Sequence, residues 1–195
     1  MSVKMQRIDL ANEGDVLSTR RRGRTVGRAA HDLLEKSDCL LLSFFGVEVA
    51  SPPFLDELLQ ALRPATFGGD SGRLLLIVGL NDDVCESLKM VLDRRKLALA
   101  MLKGNKVELL GGAEQLEQTL REAVELGVFT APELAERLAI KLPALHQRLR
   151  ALTDAGAIAR QPDTSAERGK RHTYTAPSGK TLREAEMSLR TLEHA

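Results

Sequence analysis

The sequence predicts a layered α/β domain over residues 1–110, a helical unit closed by a hairpin over 113–177, and a terminal amphipathic helix over 178–195. Three observations carry that expectation. Strand-like apolar runs alternate with helix-like segments up to about Leu110. Beyond Ala113 the strand signal gives way to amphipathic helices. Near Ile158–Arg160 and His172–Tyr174, two short strand-like segments flank a polar tip, QPDTSAERGK.

In the first part, Arg7 to Leu10 reads as a short edge strand. A helix follows, with Ser18 positioned to cap its first turn and Val26, Ala29, Ala30, Leu33 and Leu34 at helical spacing. CLLLSFF, from Cys39 to Phe45, is a continuous apolar run, as expected of a strand covered on both faces. In SPPFLDELLQAL the serine stands at the cap. Its prolines fall near the first helical positions, where a missing N–H costs little. RLLLIVGL, from Arg73 to Leu80, is a second buried strand. Asn81 then opens NDDVCESLKMVLDRR, whose acidic start and arginine end complement the helix dipole. KLALAML and KVELL flank Gly104-Asn105 as a closing hairpin, and Gly111-Gly112 is the expected joint.

In the second part, AEQLEQTLREAVELG is an amphipathic helix stopped at Gly127. Thr130 caps APELAERLA, with Pro132 in the first turn and Glu133 three residues after the cap, a capping box. A third helix runs from about Leu142 to Ala155 and ends at Gly156. Leu182, Ala185, Met187, Leu189 and Leu192 mark the last helix.

Composition bounds the function. With 195 residues, 43% of them hydrophobic, the chain can build one full domain and a small second one. A net charge of +1 means that any surface for nucleic acid must be a local patch. Cys39 and Cys85 lack metal spacing and read as buried, reduced thiols of a cytoplasmic protein. The N-terminus is too polar for a signal peptide, and no apolar run reaches the roughly 20 residues of a membrane span. No Trp and one Tyr argue against a platform for stacking single-stranded bases.

Catalysis is not expected. Asp56-Glu57 and Asp82-Asp83 read as dipole partners in helix first turns. His31, His146, His172 and His194 are scattered, without metal or triad spacing. The loop from Gly68 to Gly72 lacks the lysine of a phosphate-binding loop. No metal and no cofactor is expected.

TAPELAERL, followed by LPALHQRLRALTDAGAI and a charged hairpin ending at Tyr174, resembles the winged helix-turn-helix fold over about Ala113 to Tyr174. Leu134, Leu138, Leu145, Leu149, Leu152 and Ile158 would point inward, and Gly156 would permit the left-handed turn into the wing. That assignment leaves Pro143, Ala144, His146, Gln147 and Arg150 on the outer face of the third helix. In this fold the outer face enters the major groove, where Gln can read adenine and Arg guanine. Arg168, Lys170 and Arg171 at the wing would meet phosphates. Charge is segregated accordingly. Lys141 to His172 holds seven Lys or Arg against three acids, whereas Ala113 to Ala139 holds six acids against two bases.

LLLSFFGVEVASPPFLDELLQAL, with the helix LSTRRRGRTVGRAAHDLL before it and RLLLIVGLNDDVCESLKMVL after it, resembles a STAS-like domain related to anti-sigma-factor antagonists. In that family a serine at the start of the central helix is phosphorylated and blocks docking. Here Pro52 and Pro53 occupy the matching positions and cannot be phosphorylated. Ser51 lies just before them and also reads as a helix cap. Arg20, Arg24 and Arg28 share one face of the first long helix at i, i+4 spacing, a candidate contact for an anion or an acidic partner.

The function these readings imply is a DNA-binding transcriptional regulator whose STAS-like domain binds a regulatory protein or a small-molecule signal. The rival is a protein-interaction adaptor of a partner-switching circuit that binds no DNA. A homodimer on a pseudo-palindromic double-stranded site is expected, with the helices that begin near Ala113 and Ser178 as its interface.

Overall fold

The computed structural model describes residues 4–66, 72–162 and 172–190. It is a mixed α/β structure with seven α-helices and a mostly parallel central sheet among those residues. Its first part runs β1 (Met5–Asp9), a 3-10 turn (Leu10–Glu13), β2 (Val16–Leu17), α1 (Arg20–Leu34), β3 (Cys39–Ser43), β4 (Val49–Ala50) and α2 (Pro52–Thr66). It continues with β5 (Leu74–Val78), α3 (Asp82–Arg95), β6 (Leu99–Lys103) and β7 (Lys106–Leu110).

The five-stranded sheet has the order β1-β3-β5-β6-β7, parallel except for the β6/β7 hairpin. Parallel neighbours that follow one another in sequence need crossovers, and crossovers are right-handed. Three crossovers marching in one direction therefore put α1, α2 and α3 on the same face. Leu40, Leu42, Leu75 and Ile77 point into that helical layer with Val26, Leu34, Phe54, Leu58 and Leu88. The opposite face is left needing a second cover, because Cys39, Leu41, Leu76 and Val78 point into it and are also buried.

Two details of the helical layer correct the sequence reading. The cap of α1 is Thr19, whose side chain accepts the Arg22 N–H at 3.3 Å; Ser18 lies one residue outside, with its carbonyl turned to α2. Ala29 is exposed, and the inward stripe uses Gly23 and Gly27 instead. A Cβ on Gly23 would run into the Phe54 carbonyl oxygen, and one on Gly27 would lie 2.6 Å from the Ala61 Cβ. The two helices thus meet backbone to backbone, which only glycine allows.

The chain continues with α4 (Glu114–Leu126), β8 (Val128–Thr130), α5 (Ala131–Arg137), α6 (Leu142–Asp154), β9 (Ala159–Pro162), β10 (His172–Thr175) and α7 (Gly179–Arg190). β8 is a correction to the expected two-stranded hairpin, because the sheet has three strands in the order β8-β10-β9. Three residues, Val-Phe-Thr, are too short to show a period of two.

This second part covers the bare sheet face. Leu120, Ala123, Phe129, Leu134, Leu145, Leu149, Leu152, Ile158 and Ala185 belong to one apolar cluster with Leu41, Leu76 and Ala100. The contact includes the backbone. The Leu75 N–H donates to the Gly156 carbonyl at 2.9 Å, and the Ala100 N–H to the Ala155 carbonyl at 3.3 Å. The turn after α6 therefore sits on β5 and β6, and the two parts share a core.

Candidate nucleic-acid interface

α5 and α6 are set by their ends. The Thr130 N–H and hydroxyl both donate to the Glu133 carboxylate, at 2.6 and 2.8 Å, and these bonds hold that carboxyl below its ordinary pKa. α5 ends in a Schellman arrangement, with Ala139 N–H bonded to the Glu136 carbonyl and Ile140 N–H to the Ala135 carbonyl. Ala139 takes the left-handed φ of 51° that turns the chain into α6. α6 ends the same way on Gly156 at φ 69°, as its sequence implied.

The axial rotation of α6 follows from what it buries. Leu145, Leu149 and Leu152 are buried, and the Thr153 hydroxyl returns to the Leu149 carbonyl at 2.8 Å. Arg148 reaches back to α4, donating to the Thr119 hydroxyl at 3.3 Å and the Gln115 amide oxygen at 3.4 Å. Arg137 of α5 is ion-paired to Glu122 and Glu125 of α4. Together with Glu133 in the capping box, three of the six acids from Ala113 to Ala139 are engaged in bonds within the chain.

Pro143, Ala144, His146, Gln147 and Arg150 are all exposed, on the side opposite those leucines. No acidic residue occurs from Leu142 to Thr153, so this exposed strip is cationic or neutral along its length. The base of the β9/β10 hairpin is fixed by Tyr174, which stacks on Phe129 of β8 with ring centroids 5.7 Å apart. Burial pushes the Tyr174 hydroxyl above its ordinary pKa. Arg168, Lys170 and Arg171, expected at the tip of that hairpin, lie outside the described residues.

The N-terminal candidates are brought together differently. Arg24 is ion-paired to Glu57 of α2 at 3.0 Å, and Arg20 lies 3.7 Å from the same carboxylate. Hydrogen bonding from Arg24 holds the Glu57 carboxyl below its usual range. Arg28 is exposed and forms no ion pair among the described residues. The anion that Arg20 and Arg24 face is thus supplied by this chain. Asp56, next to Glu57, accepts from Arg95 at 2.6 Å and Arg94 at 2.7 Å of α3. Arg95, then Arg94, draw its pKa down to about 2. Both acids lie in the second turn of α2 and tie it to its neighbours, which corrects the dipole explanation given by their sequence position. Sequence reasoning missed this clamp because its partners are 33 to 39 residues away.

The Ser51 hydroxyl donates to the Ser18 carbonyl at 2.8 Å and accepts the Phe54 N–H at 3.4 Å, so Ser51 caps α2 and joins it to the start of α1. Val16 and Val49, paired across β2 and β4 beside it, are exposed at 47% and 46%. Cys39 is buried, and its thiol is pushed up to about 12 by burial and by the charges of Asp38 and Glu184. Cys85 is half-buried. Among the described residues no group of three His, Cys, Asp or Glu could hold a metal ion, and no helix is long and apolar enough to cross a membrane. Comparison with known proteins adds no relative: no family model, curated protein or solved structure matches this chain.

Proposed function

We propose that the chain is a DNA-binding regulator in which Glu114–Thr175 acts as a winged helix-turn-helix unit and lays α6 in the major groove. The observation that carries this reading is the exposed, acid-free strip of Pro143, Ala144, His146, Gln147 and Arg150, held outward by three buried leucines. The three-stranded sheet and the capped α5 supply the remaining parts of such a unit. Gln147 and Arg150 read base edges, and Arg168, Lys170 and Arg171, which lie between β9 and β10 in the sequence, contact phosphate.

On this reading the N-terminal layer is STAS-like and receives the signal, with a protein as the favoured input. The exposed Val16–Val49 pair beside the Ser51 cap supports that choice, since an apolar pair at a surface is suited to a protein partner. The same observation favours the second reading, an adaptor that docks proteins through both layers and binds no DNA.

Titration with random duplex at several salt concentrations separates the two, because neutralising phosphates releases counterions. A DNA-binding chain loses affinity steeply as salt rises; an adaptor shows no duplex binding at low salt. Replacing Lys170 and Arg171 with Ala is expected to weaken all sequences alike and flatten the salt slope. Gln147→Ala is expected to relax selectivity by about 1–3 kcal/mol at one base position. If the double replacement and Gln147→Ala both leave binding unchanged, α6 does not lie in the groove.

A further inference from the structure

The helices expected to join two copies are already engaged within one. Leu120 and Ala123 of α4, and Leu182 and Ala185 of α7, are buried in the core that covers the sheet. A different surface is a sheet edge: the central sheet ends on β7, whose strand neighbour is β6 alone among the described residues.

Successive residues of an antiparallel strand turn their main-chain groups alternately toward and away from the partner strand. A two-residue turn closes on a hydrogen-bonded pair, and here Gly104-Asn105 sets Lys103 opposite Lys106. Lys106, Glu108 and Leu110 therefore bond inward to β6, while Val107 and Leu109 aim their N–H and C=O groups outward. A free edge of this kind is a template for another strand.

We propose that β7 pairs with β7 of a second copy, antiparallel about a two-fold axis at Val107, joining two five-stranded sheets into one. Charge selects this register among those that the outward main-chain groups allow. Val107 and the partner's Val107 exchange two N–H···O=C bonds. Lys106 then stands opposite the partner's Glu108, and Glu108 opposite the partner's Lys106, in the closer non-hydrogen-bonded spacing where side chains interact most. Lys106 and Glu108 are both exposed and so available for it. Centring the axis on Glu108 would also satisfy the outward main-chain groups, through Val107 and the partner's Leu109, but it would oppose two carboxylates in the closer non-hydrogen-bonded spacing. Centring it on Leu109 would set Glu108 against the partner's Leu110 and lose both charge pairs. The partner is thus a second copy of this chain, recognised by an edge complementary to itself. This holds whatever α6 binds.

Because a short edge buries less than the roughly 1,600 Å² of a standard interface, sedimentation equilibrium of the full chain should span submicromolar to several hundred micromolar concentrations. The mass is expected to rise from 21.4 kDa toward twice that value. Lys106→Glu alone and Glu108→Lys alone each set like charges opposite one another twice, and each should weaken association at least about tenfold. Mixing the two variants in equal amounts restores it, since every contact between positions 106 and 108 in the mixed pair then joins opposite charges. The doubly exchanged chain also dimerises. Recovery in the mixture shows that neither variant lost its fold. A wild-type chain that stays monomeric overturns the proposal. So does a dimer indifferent to either reversal, or a mixture no tighter than its components.

Discussion

The two faces of the central sheet are covered by different means. On one, α1, α2 and α3 belong to the crossovers between neighbouring strands, so their position follows from the hand of the connections. On the other, the cover comes from residues beyond Gly112, and nothing local obliges it to be there. The first cover is fastened by glycine-mediated backbone contact and by the Asp56 and Glu57 ion pairs. The second is fastened by leucines and by two backbone hydrogen bonds at Ala155 and Gly156. A cover made by crossovers can be adjusted by side-chain chemistry, whereas one docked from a distance needs a main-chain anchor to fix where it sits.

Three substitutions test that contrast, in falling order of effect. Gly27→Leu places a side chain where the Ala61 Cβ and the Leu58 carbonyl oxygen already stand, within 2.6 and 2.7 Å of its Cβ. With backbone on one side the helices must separate, and a loss of about 3 kcal/mol or more is expected in denaturant unfolding. Gly156→Val brings a Cβ to 2.7 Å from that of Leu75 and forces a β-branched residue to φ 69°. A loss of about 2–3 kcal/mol should follow. Hydrogen exchange should show the second cover loosening while amides of α1 to α3 keep their protection. Equal loss of protection on both faces would mean that the covers do not differ as described.

The smallest effect concerns the ion pairs. Asp56 titrates near 2 in the folded chain against an ordinary 3.8, so its stabilisation is present above about pH 4 and disappears as pH falls toward 2. Its side chain is 12% exposed but that of Arg94 is 63% exposed, so solvent screening reduces the gain. Asp56→Asn should cost about 1–2 kcal/mol at neutral pH. Thermal melts of the variant and the parent should converge near pH 2.

Much of this was legible from residue pattern. The apolar runs at Cys39 and Leu74, the Asn81 cap, the capping box at Thr130 and the turn at Gly156 each rest on chemistry within about five residues. The outward set on α6 was legible too, because a helix whose leucines recur at i, i+4 and i+7 has its other side fixed by geometry. The misses were of two kinds. β8 was too short to show a period, and it is a strand because it pairs antiparallel with β10, where Phe129 also stacks on Tyr174. The roles of Gly23, Gly27, Asp56 and Glu57 depend on partners far along the chain. Small residues at i, i+4 and i+7 (Gly23, Gly27 and Ala30) were the available signal for the close helix contact.

The sequence by itself determined the longer elements and most of the faces they turn inward, since propensity, capping and periodicity act over a few residues. It also implied, through CLLLSFF, that a strand would be covered on both sides. Only the tertiary structure decided what the second cover is. It is the C-terminal half, seated on β5 and β6 through the Gly156 turn, because hydrophobic burial demands some cover but is non-directional. The choice of cover came from shape and from two main-chain hydrogen bonds that no local pattern encodes.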